Sequence, residues 1–279
     1  GDWSSDVCSS DLSPFLLDLA NQVLIAVVGA VALMLLTGYA GQVSLGHAGL
    51  MAAGAFTTGI LARETGAPFW IALPASGLAG ALIGFVFGLP SLRLRGLYLA
   101  VSTLALHFIV IHAGQEYETR RGLSSGVVID PPKLFGAELV DPRLWYASLF
   151  VCAAATVLFA LNLLRSRTGR AWRALHGREP VAEALGIPVA RAKVSAFVIA
   201  STLTAMSGSL FAYYRGFVSS EAFSLFLTIQ YVAMIIIGGM GSVLGAVLGA
   251  AFVTLFPYLI ETALASLPGG EDRKSTRLN

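Results

Sequence analysis

Long apolar runs without charge constrain this chain more than any other feature of its sequence. Residues 68–89 and 144–164 contain no Asp, Glu, Lys or Arg. A helix needs roughly 20 apolar residues to cross a hydrocarbon core of about 30 Å. Only 12% of all residues are charged, about half the share in soluble domains. The sequence therefore predicts an all-α fold, a polytopic bundle of transmembrane helices.

The apolar runs predict about eight membrane segments, one of them short or broken. They lie at residues 15–37, 48–62, 68–89, 96–114, 144–164, 194–214, 223–240 and 241–260. The second run is too short to cross the membrane comfortably. Lys and Arg are concentrated at residues 93–95 and 165–193. Because cytoplasmic loops carry an excess of these cations, both loops are predicted to face the cytoplasm.

The loop at residues 165–193 holds seven cations and a short segment with an apolar face. Pro180 suits the first turn of a helix, and Gly186 suits the position just past its end. A helix this short is not stable alone in water, so the membrane domain or a partner protein must cover its apolar face. A basic loop resting on anionic lipid headgroups explains the cations equally well. The residues alone leave these alternatives open.

A second polar stretch, TGYAGQVSLGHAG at residues 37–49, interrupts the apolar pattern. Its polar side chains are those of Tyr39, Gln42, Ser44 and His47. Irregular backbone inside a membrane is tolerated only where protein buries it or a watery cavity adjoins it. Broken helices also mark the binding regions of transporters. The stretch therefore predicts part of a translocation pathway, and a tight glycine-mediated crossing is the alternative.

Two series of glycines recur at every fourth residue and predict close packing of helices, within or between subunits. The series are Gly80, Gly84 and Gly88, and Gly241, Gly245 and Gly249. His107 and His112 stand five residues apart, so they share no helix face and make poor joint ligands. No metal site is expected.

Sequence patterns for nucleotide hydrolysis and zinc-dependent proteolysis are missing from the chain. It contains no GxxxxGK[ST] or HExxH motif, which disfavours an ATPase and a zinc protease. Its net charge is only +2, which disfavours nucleic acid as a partner. We expect no catalytic residue and no cofactor in this chain, and we expect its energy to come from outside it.

Residues 38–62, GYAGQVSLGHAGLMAAGAFTTGILA, resemble the glycine-rich signature of branched-chain amino acid permeases in bacterial ABC importers. LRLRGLYLAVSTLAL at 92–106 and the region 166–250 are similar to the same family, and they fit its M-type better than its H-type. The resemblance implies an inner-membrane permease subunit that takes up branched-chain amino acids. It also implies four kinds of partner: a second, H-type permease, two ATPases that bind ATP and Mg, a periplasmic or lipid-anchored binding protein, and membrane lipid.

The resemblance further implies a coupling helix of the EAA type within residues 165–193, which docks into an ATPase subunit. Docking energy is expected from Val181 and Leu185, and the polar contact is expected from Glu179 or Glu183. The full set of expected coupling residues is Arg170, Arg173, Glu179, Val181, Glu183, Leu185 and Gly186. The alternatives are a urea or amide importer permease and an ATP-independent channel constricted at the glycine-rich stretch.

The two ends of the chain are polar and abrupt. Residues 1–12 and 271–279 have the character of translated adapter read-through and are expected to be non-native. The permease domain is accordingly expected at residues 13–270, without the terminal helices that the family resemblance implies.

Overall fold

Helices dominate the computed structural model of the chain, which describes residues 3–94, 96–122, 126–129, 133–134, 137–138, 142–176 and 179–265. The α-helices are α1 Trp3–Leu33, α2 His47–Thr65, α3 Phe69–Gly88, α4 Leu97–Arg120, α5 Pro142–Arg165, α6 Arg167–Leu175, α7 Glu179–Ala184, α8 Val189–Arg215, α9 Leu225–Ile237 and α10 Val243–Ala265. A π-helical stretch, Met34–Tyr39, continues α1, and two 3-10 turns lie at Pro90–Leu92 and Ser220–Phe223.

Short strands complete the secondary structure. They are β1 Val127–Val128, β2 Lys133–Leu134, β3 Ala137–Glu138 and β4 Phe217–Val218. β1 pairs antiparallel with β4, and β2 pairs antiparallel with β3. The β1–β4 ladder joins the segment after α4 to the segment after α8, so it ties two connections together at one end of the bundle.

Within the described ranges, six helices are long and apolar enough to cross a membrane, which confirms the predicted polytopic helical bundle. They are Phe15–Tyr39, Phe69–Gly88, Leu97–Arg120, Arg143–Arg165, Val189–Arg215 and Val243–Glu261. The first and fifth of these are largely buried in the bundle, and the others present apolar faces outwards. Apolar side chains that face outwards can meet lipid at no cost, so this distribution is that of a multi-pass membrane protein.

The prediction of a full span at residues 223–240 is wrong. The helix there, α9, has 13 residues and is about 20 Å long, short of a core of about 30 Å. Ser224, the residue just before this helix, has an extended backbone. Gly239 and Gly241 follow with φ values of +94° and +92°, a conformation that ends helices and favours glycine.

Contacts between neighbouring segments identify the two ends of the bundle. At one end, here called the basic end, Gln42 Nε2 donates a hydrogen bond to the Lys193 carbonyl at 3.3 Å, and Gly88 packs on Phe197 and Val194 of α8. At the opposite end, Glu64 pairs with Arg121. The 3-10 turn Pro90–Leu92 and helix α6 both adjoin the basic end, as the alternation of spans predicts.

Helix α8 lies at the centre of the bundle, and small residues bring α2 and α3 close to it. Gly54 of α2 packs against the backbone of Ala205, and Gly208 of α8 packs against the backbone of Met51. On the other side, a Cβ at Gly80 would lie 2.5 Å from the Ser201 carbonyl oxygen. Without these glycines the helix backbones could not approach so closely.

Candidate translocation and coupling site

Helix α6 begins the connection between α5 and α8 and packs on its own membrane domain. The Ser166 hydroxyl accepts a hydrogen bond from the Gly169 amide at 3.4 Å and caps the helix start. Trp172 and Leu175 are buried, and the Trp172 indole N–H donates to the Ser195 hydroxyl at 3.2 Å. The apolar face of α6 is therefore covered by the chain itself.

Arg170 and Arg173 interact with the end of α5. The Arg170 guanidinium donates to the Arg165 carbonyl at 2.8 Å, and that of Arg173 donates to the Leu164 carbonyl. The last carbonyls of a helix lack partners inside the helix and carry its negative dipole end. These arginines thus stabilise the α5–α6 corner, and their contact with an ATPase stays a prediction.

Helix α7 is as short as its sequence predicts and ends in a defined motif. Gly186 has a φ of +75°. The Ile187 amide donates to the Ala182 carbonyl at 3.0 Å, and the Gly186 amide donates to the Glu183 carbonyl at 2.9 Å. These two bonds form a Schellman motif, which confirms the predicted place of Gly186 just past the helix end.

A buried ion pair holds α7 against α8. Lys193 Nζ lies 2.6 Å from Glu179 Oε1, and the two side chains are 3% and 23% exposed. Glu183, in contrast, is exposed. Of the two candidate acidic residues, Glu179 is engaged inside the chain, and Glu183 faces outwards.

The apolar side chains of α7 divide between the bundle and the outside. Ala182 is buried, whereas Val181 is 53% exposed and Leu185 is 73% exposed. The two exposed side chains lie four residues apart, on one helix face. Helix α7 is therefore anchored on one side by Ala182 and the ion pair, and it presents an apolar surface on the other.

The glycine-rich stretch enters the bundle from the basic end. Gln42 binds the Lys193 carbonyl there, while His47 Nδ1 lies 3.4 Å from the Thr204 hydroxyl. Thr204 lies 11 residues beyond Lys193, about 17 Å along α8. The stretch therefore reaches the middle of the bundle, where α2 begins.

The predicted pathway residues are packed in this structure. Gln42, Ser44 and His47 are buried, and Tyr39 is half-buried. The Ser44 hydroxyl accepts from the Gly46 amide at 3.4 Å, and the His47 ring lies 4.6 Å from the Tyr231 ring, centre to centre. These contacts match a tight crossing, and the role of the four residues in translocation stays a prediction.

A small cavity of about 110 Å³, with a mostly apolar lining that includes several polar side chains, lies between α1, α2, α8, α9 and α10. We call it the vestibule, and its defining residues are Gln22, Met51, Arg215, Gln230, Tyr231 and Thr254. Its polar residues come from four helices, α1, α8, α9 and α10, and form no sequence motif, so nothing in the sequence singled them out. A larger cavity of about 390 Å³ between α1, α3, α5 and α8 has almost entirely apolar walls, which suit lipid chains and not a polar solute.

The predicted packing glycines fall into two groups. A Cβ at Gly80, Gly84 or Gly88 would press on α8, and one at Gly245 or Gly249 would press on the backbone of α9 or its end. Gly241 instead lies in the turn between α9 and α10, where a Cβ would have open space. Among the described residues, no three His, Cys, Asp or Glu side chains stand close enough to hold a metal ion.

Comparison with known proteins shows where the chain belongs. A family model described as branched-chain amino acid transport system / permease component matches residues 15–274. The high-affinity branched-chain amino acid transport system permease protein LivM of Salmonella typhimurium is 34% identical over 262 residues, which are 85% of this chain and 62% of that protein. LivM of Escherichia coli K12 gives the same values.

A more distant relative is the L-arabinose transport system permease protein AraH of Escherichia coli K12. It is 29% identical over 175 residues, which are 62% of this chain and 51% of that protein. No solved structure matches the chain significantly. The chain spans 62% of the length of the LivM proteins it matches. It belongs to the family of permease components of branched-chain amino acid transport systems.

Proposed function

We propose that the chain is the membrane permease subunit of an ATP-driven importer of branched-chain amino acids in a bacterial inner membrane. The observation that carries this proposal is α7, which turns Val181 and Leu185 outwards at the basic end. The similarity to LivM extends over more of the chain than the similarity to AraH, which favours branched-chain amino acids over a sugar. The basic end then faces the cytoplasm.

The partners follow from this role. Two ABC ATPases bind ATP and Mg, an H-type permease pairs with this chain, and a binding protein delivers the solute at the opposite end. The chain itself carries out no covalent chemistry. Burial of Val181 and Leu185 in an ATPase groove would contribute about 3 kcal/mol together, about a hundredfold in affinity.

The structure contains a route for force from α7 into the membrane domain. Glu179 of α7 holds the Lys193 side chain, and Gln42 of the glycine-rich stretch holds the Lys193 carbonyl. A displacement of α7 by the ATPase would therefore pull on the start of α8 and on that stretch together. Such a linkage is what coupling of ATP hydrolysis to alternating access requires.

The test uses the double substitution Val181→Asp with Leu185→Asp in the complex expressed with its partner subunits. We expect the ATPase subunits to be lost on purification, with the thermal unfolding of the permease unchanged because both side chains are exposed. Ala190→Asp, an exposed change at the same end outside α7, is the matched control and should keep the ATPase bound. Retention of the ATPase by the double variant would contradict docking through α7.

Transport assays separate the remaining alternatives. In proteoliposomes that hold the wild-type complex, leucine uptake should require ATP. Uptake that continues after ATP is removed would identify a channel or facilitator. ATP-dependent uptake of urea without uptake of leucine would identify a urea or amide importer.

A further inference from the structure

An apolar groove of about 440 Å³ lies at the basic end of the bundle, between the end of α3 and the start of α8. Its apolar lining residues include Phe85, Leu89, Leu92, Val194 and Val198. Phe85 and Leu89 are about half exposed, so the groove is open to the outer surface of the bundle. Volumes of several hundred Å³ are typical of ligand-binding clefts. The chain thus leaves a concave hydrocarbon surface uncovered at the edge of its membrane domain.

Positive charge adjoins this groove. Arg191 is the one charged residue among the described residues that line it, and Arg93 directly follows the lining residue Leu92. Both arginines are exposed, and within the described ranges neither has an ion-pair or hydrogen-bond partner. Lys193, two residues further on, is in contrast buried and paired with Glu179. The groove therefore carries positive charge that no carboxylate in the described part of the chain neutralises by direct contact.

The groove continues into the membrane along one face of α8. Ile199 lines both this groove and the larger apolar cavity of about 390 Å³ between α1, α3, α5 and α8. Thr202 and Met206 continue the cavity wall, at the three- and four-residue intervals that keep side chains on one helix face. Thr202 lies 11 residues beyond Arg191, about 16 Å along the helix, and one leaflet of the hydrocarbon core is about 15 Å thick. This face thus leads from the cations to the middle of the membrane.

The hydroxyls in the cavity wall are already satisfied within their own helices. The Thr156 hydroxyl donates to the Cys152 carbonyl at 2.8 Å, and the Thr202 hydroxyl donates to the Val198 carbonyl at 2.7 Å. An occupant of the cavity therefore gains by burying hydrocarbon and not by forming hydrogen bonds. The groove and the cavity together present cations at the membrane surface and hydrocarbon below them.

We propose that the groove and the cavity together bind one anionic phospholipid of the cytoplasmic leaflet. The phosphate lies at Arg191, with Arg93 adding positive charge at the groove edge, and an acyl chain follows α8 past Ile199 towards Thr202. Basic pockets between transmembrane helices on the cytoplasmic side suit anionic headgroups, and arginine donates strong hydrogen bonds to phosphate oxygens. The inference goes beyond the proposed importer function and shares with it only the orientation of the basic end towards the cytoplasm.

Native mass spectrometry of the full chain with its partner subunits tests the headgroup site. After delipidation in mild detergent, one phosphatidylglycerol should bind to this subunit. Phosphatidylcholine with the same acyl chains should bind at least about tenfold more weakly, because it carries no net negative charge. Arg191→Gln should weaken the binding of phosphatidylglycerol about fivefold, the effect of one cation near an anionic surface. Arg167→Gln is the matched control, since Arg167 is an exposed arginine at the same end outside the groove lining.

Competition with inorganic phosphate separates a lipid site from a simple anion site. Phosphate at about a hundredfold excess should not displace phosphatidylglycerol, because burial of the acyl chain contributes most of the binding. Displacement by phosphate would show that the arginines bind an anion without the help of the groove.

Photolabelling tests the path of the acyl chain. In liposomes, phosphatidylglycerol with a diazirine at the end of one acyl chain should label the peptides around Thr202 of α8 and Cys152 of α5. The outer face of α10 is the control surface, because Leu248 and Phe252 are 69% and 48% exposed. Labelling of the cavity peptides should be several times stronger than labelling of this control surface.

Several results would overturn the proposal. They are equal labelling of the two surfaces, displacement of the lipid by phosphate, phosphatidylcholine binding as tight as that of phosphatidylglycerol, and equal effects of Arg191→Gln and Arg167→Gln. So would release of the partner permease by Arg191→Gln with lipid binding unchanged, since a protein would then cover the groove. None of these measurements needs ATP or leucine, so the lipid site and the importer function can fail separately.

Discussion

Separating Lys193 from Glu179 should loosen α7 from the bundle, and the two single substitutions should differ in cost. Glu179→Met leaves the ammonium of Lys193, only 3% exposed, buried without its carboxylate. Removing one partner of a buried pair costs about 3–5 kcal/mol. Lys193→Met leaves the Glu179 carboxylate, which is 23% exposed. Because the Glu179 side chain is more exposed than that of Lys193, the cost of this substitution should be nearer about 1–2 kcal/mol.

Replacing both charges should cost less than replacing Glu179 alone. In the double variant Glu179→Met with Lys193→Met no charge is left buried, and apolar replacements of an ion pair are often neutral. The difference between the double variant and the sum of the single variants measures the coupling energy of the pair. We expect the double variant to lie close to the wild type.

Hydrogen exchange of the amides at the end of α7 measures how much stability α7 itself loses in each variant. The Gly186 and Ile187 amides are bonded to carbonyls of the same short helix, so they exchange when α7 opens. Glu179→Met should accelerate their exchange at least about tenfold more than Lys193→Met, since each 1.4 kcal/mol is about a factor of ten. Glu183→Met, at an exposed position, is the control and should change it little. Equal acceleration by both single variants, or additive effects in the double variant, would refute the reasoning.

Two further predictions concern glycines. Gly80→Ala should destabilise the detergent-solubilised protein by about 1–3 kcal/mol, because its Cβ would lie 2.5 Å from the backbone oxygen of Ser201. Gly88→Ala is the control and should change the thermal unfolding midpoint much less, because its Cβ would lie 3.3 Å from the Phe197 side chain. Equal shifts of the midpoint in the two variants would contradict this packing. Gly186→Ala should cost about 1–2 kcal/mol from backbone strain alone, since φ is +75° and no atom lies within 4 Å of its Cβ position. Gly186→Asn should cost less, and faster exchange of the Ile187 amide in the Ala variant alone would show the difference.

Much of the membrane architecture could be predicted from local sequence. The uncharged runs at residues 68–89 and 144–164 correspond to α3 and α5, because hydrophobicity over about 20 consecutive residues decides whether a helix can lie in lipid. The place of Gly186 after a short helix was also predictable, since a helix end depends on its own neighbouring residues. The apolar run at 223–240 misled, because hydropathy does not register backbone turned by Gly239 and Gly241.

Tertiary structure alone decided which polar groups meet. The choice of Glu179 over Glu183 as the partner of Lys193 depends on how α7 packs on α8, and both carboxylates look alike in the sequence. The same holds for the vestibule, where Gln22, Gln230 and Thr254 come from three helices. Sequence determined that this chain crosses a membrane and carries a basic loop with a short helix, because those properties are sums over adjacent residues. Packing determined the ion pair, the depth at which α2 begins and the cavity, because each depends on distances between residues far apart along the chain.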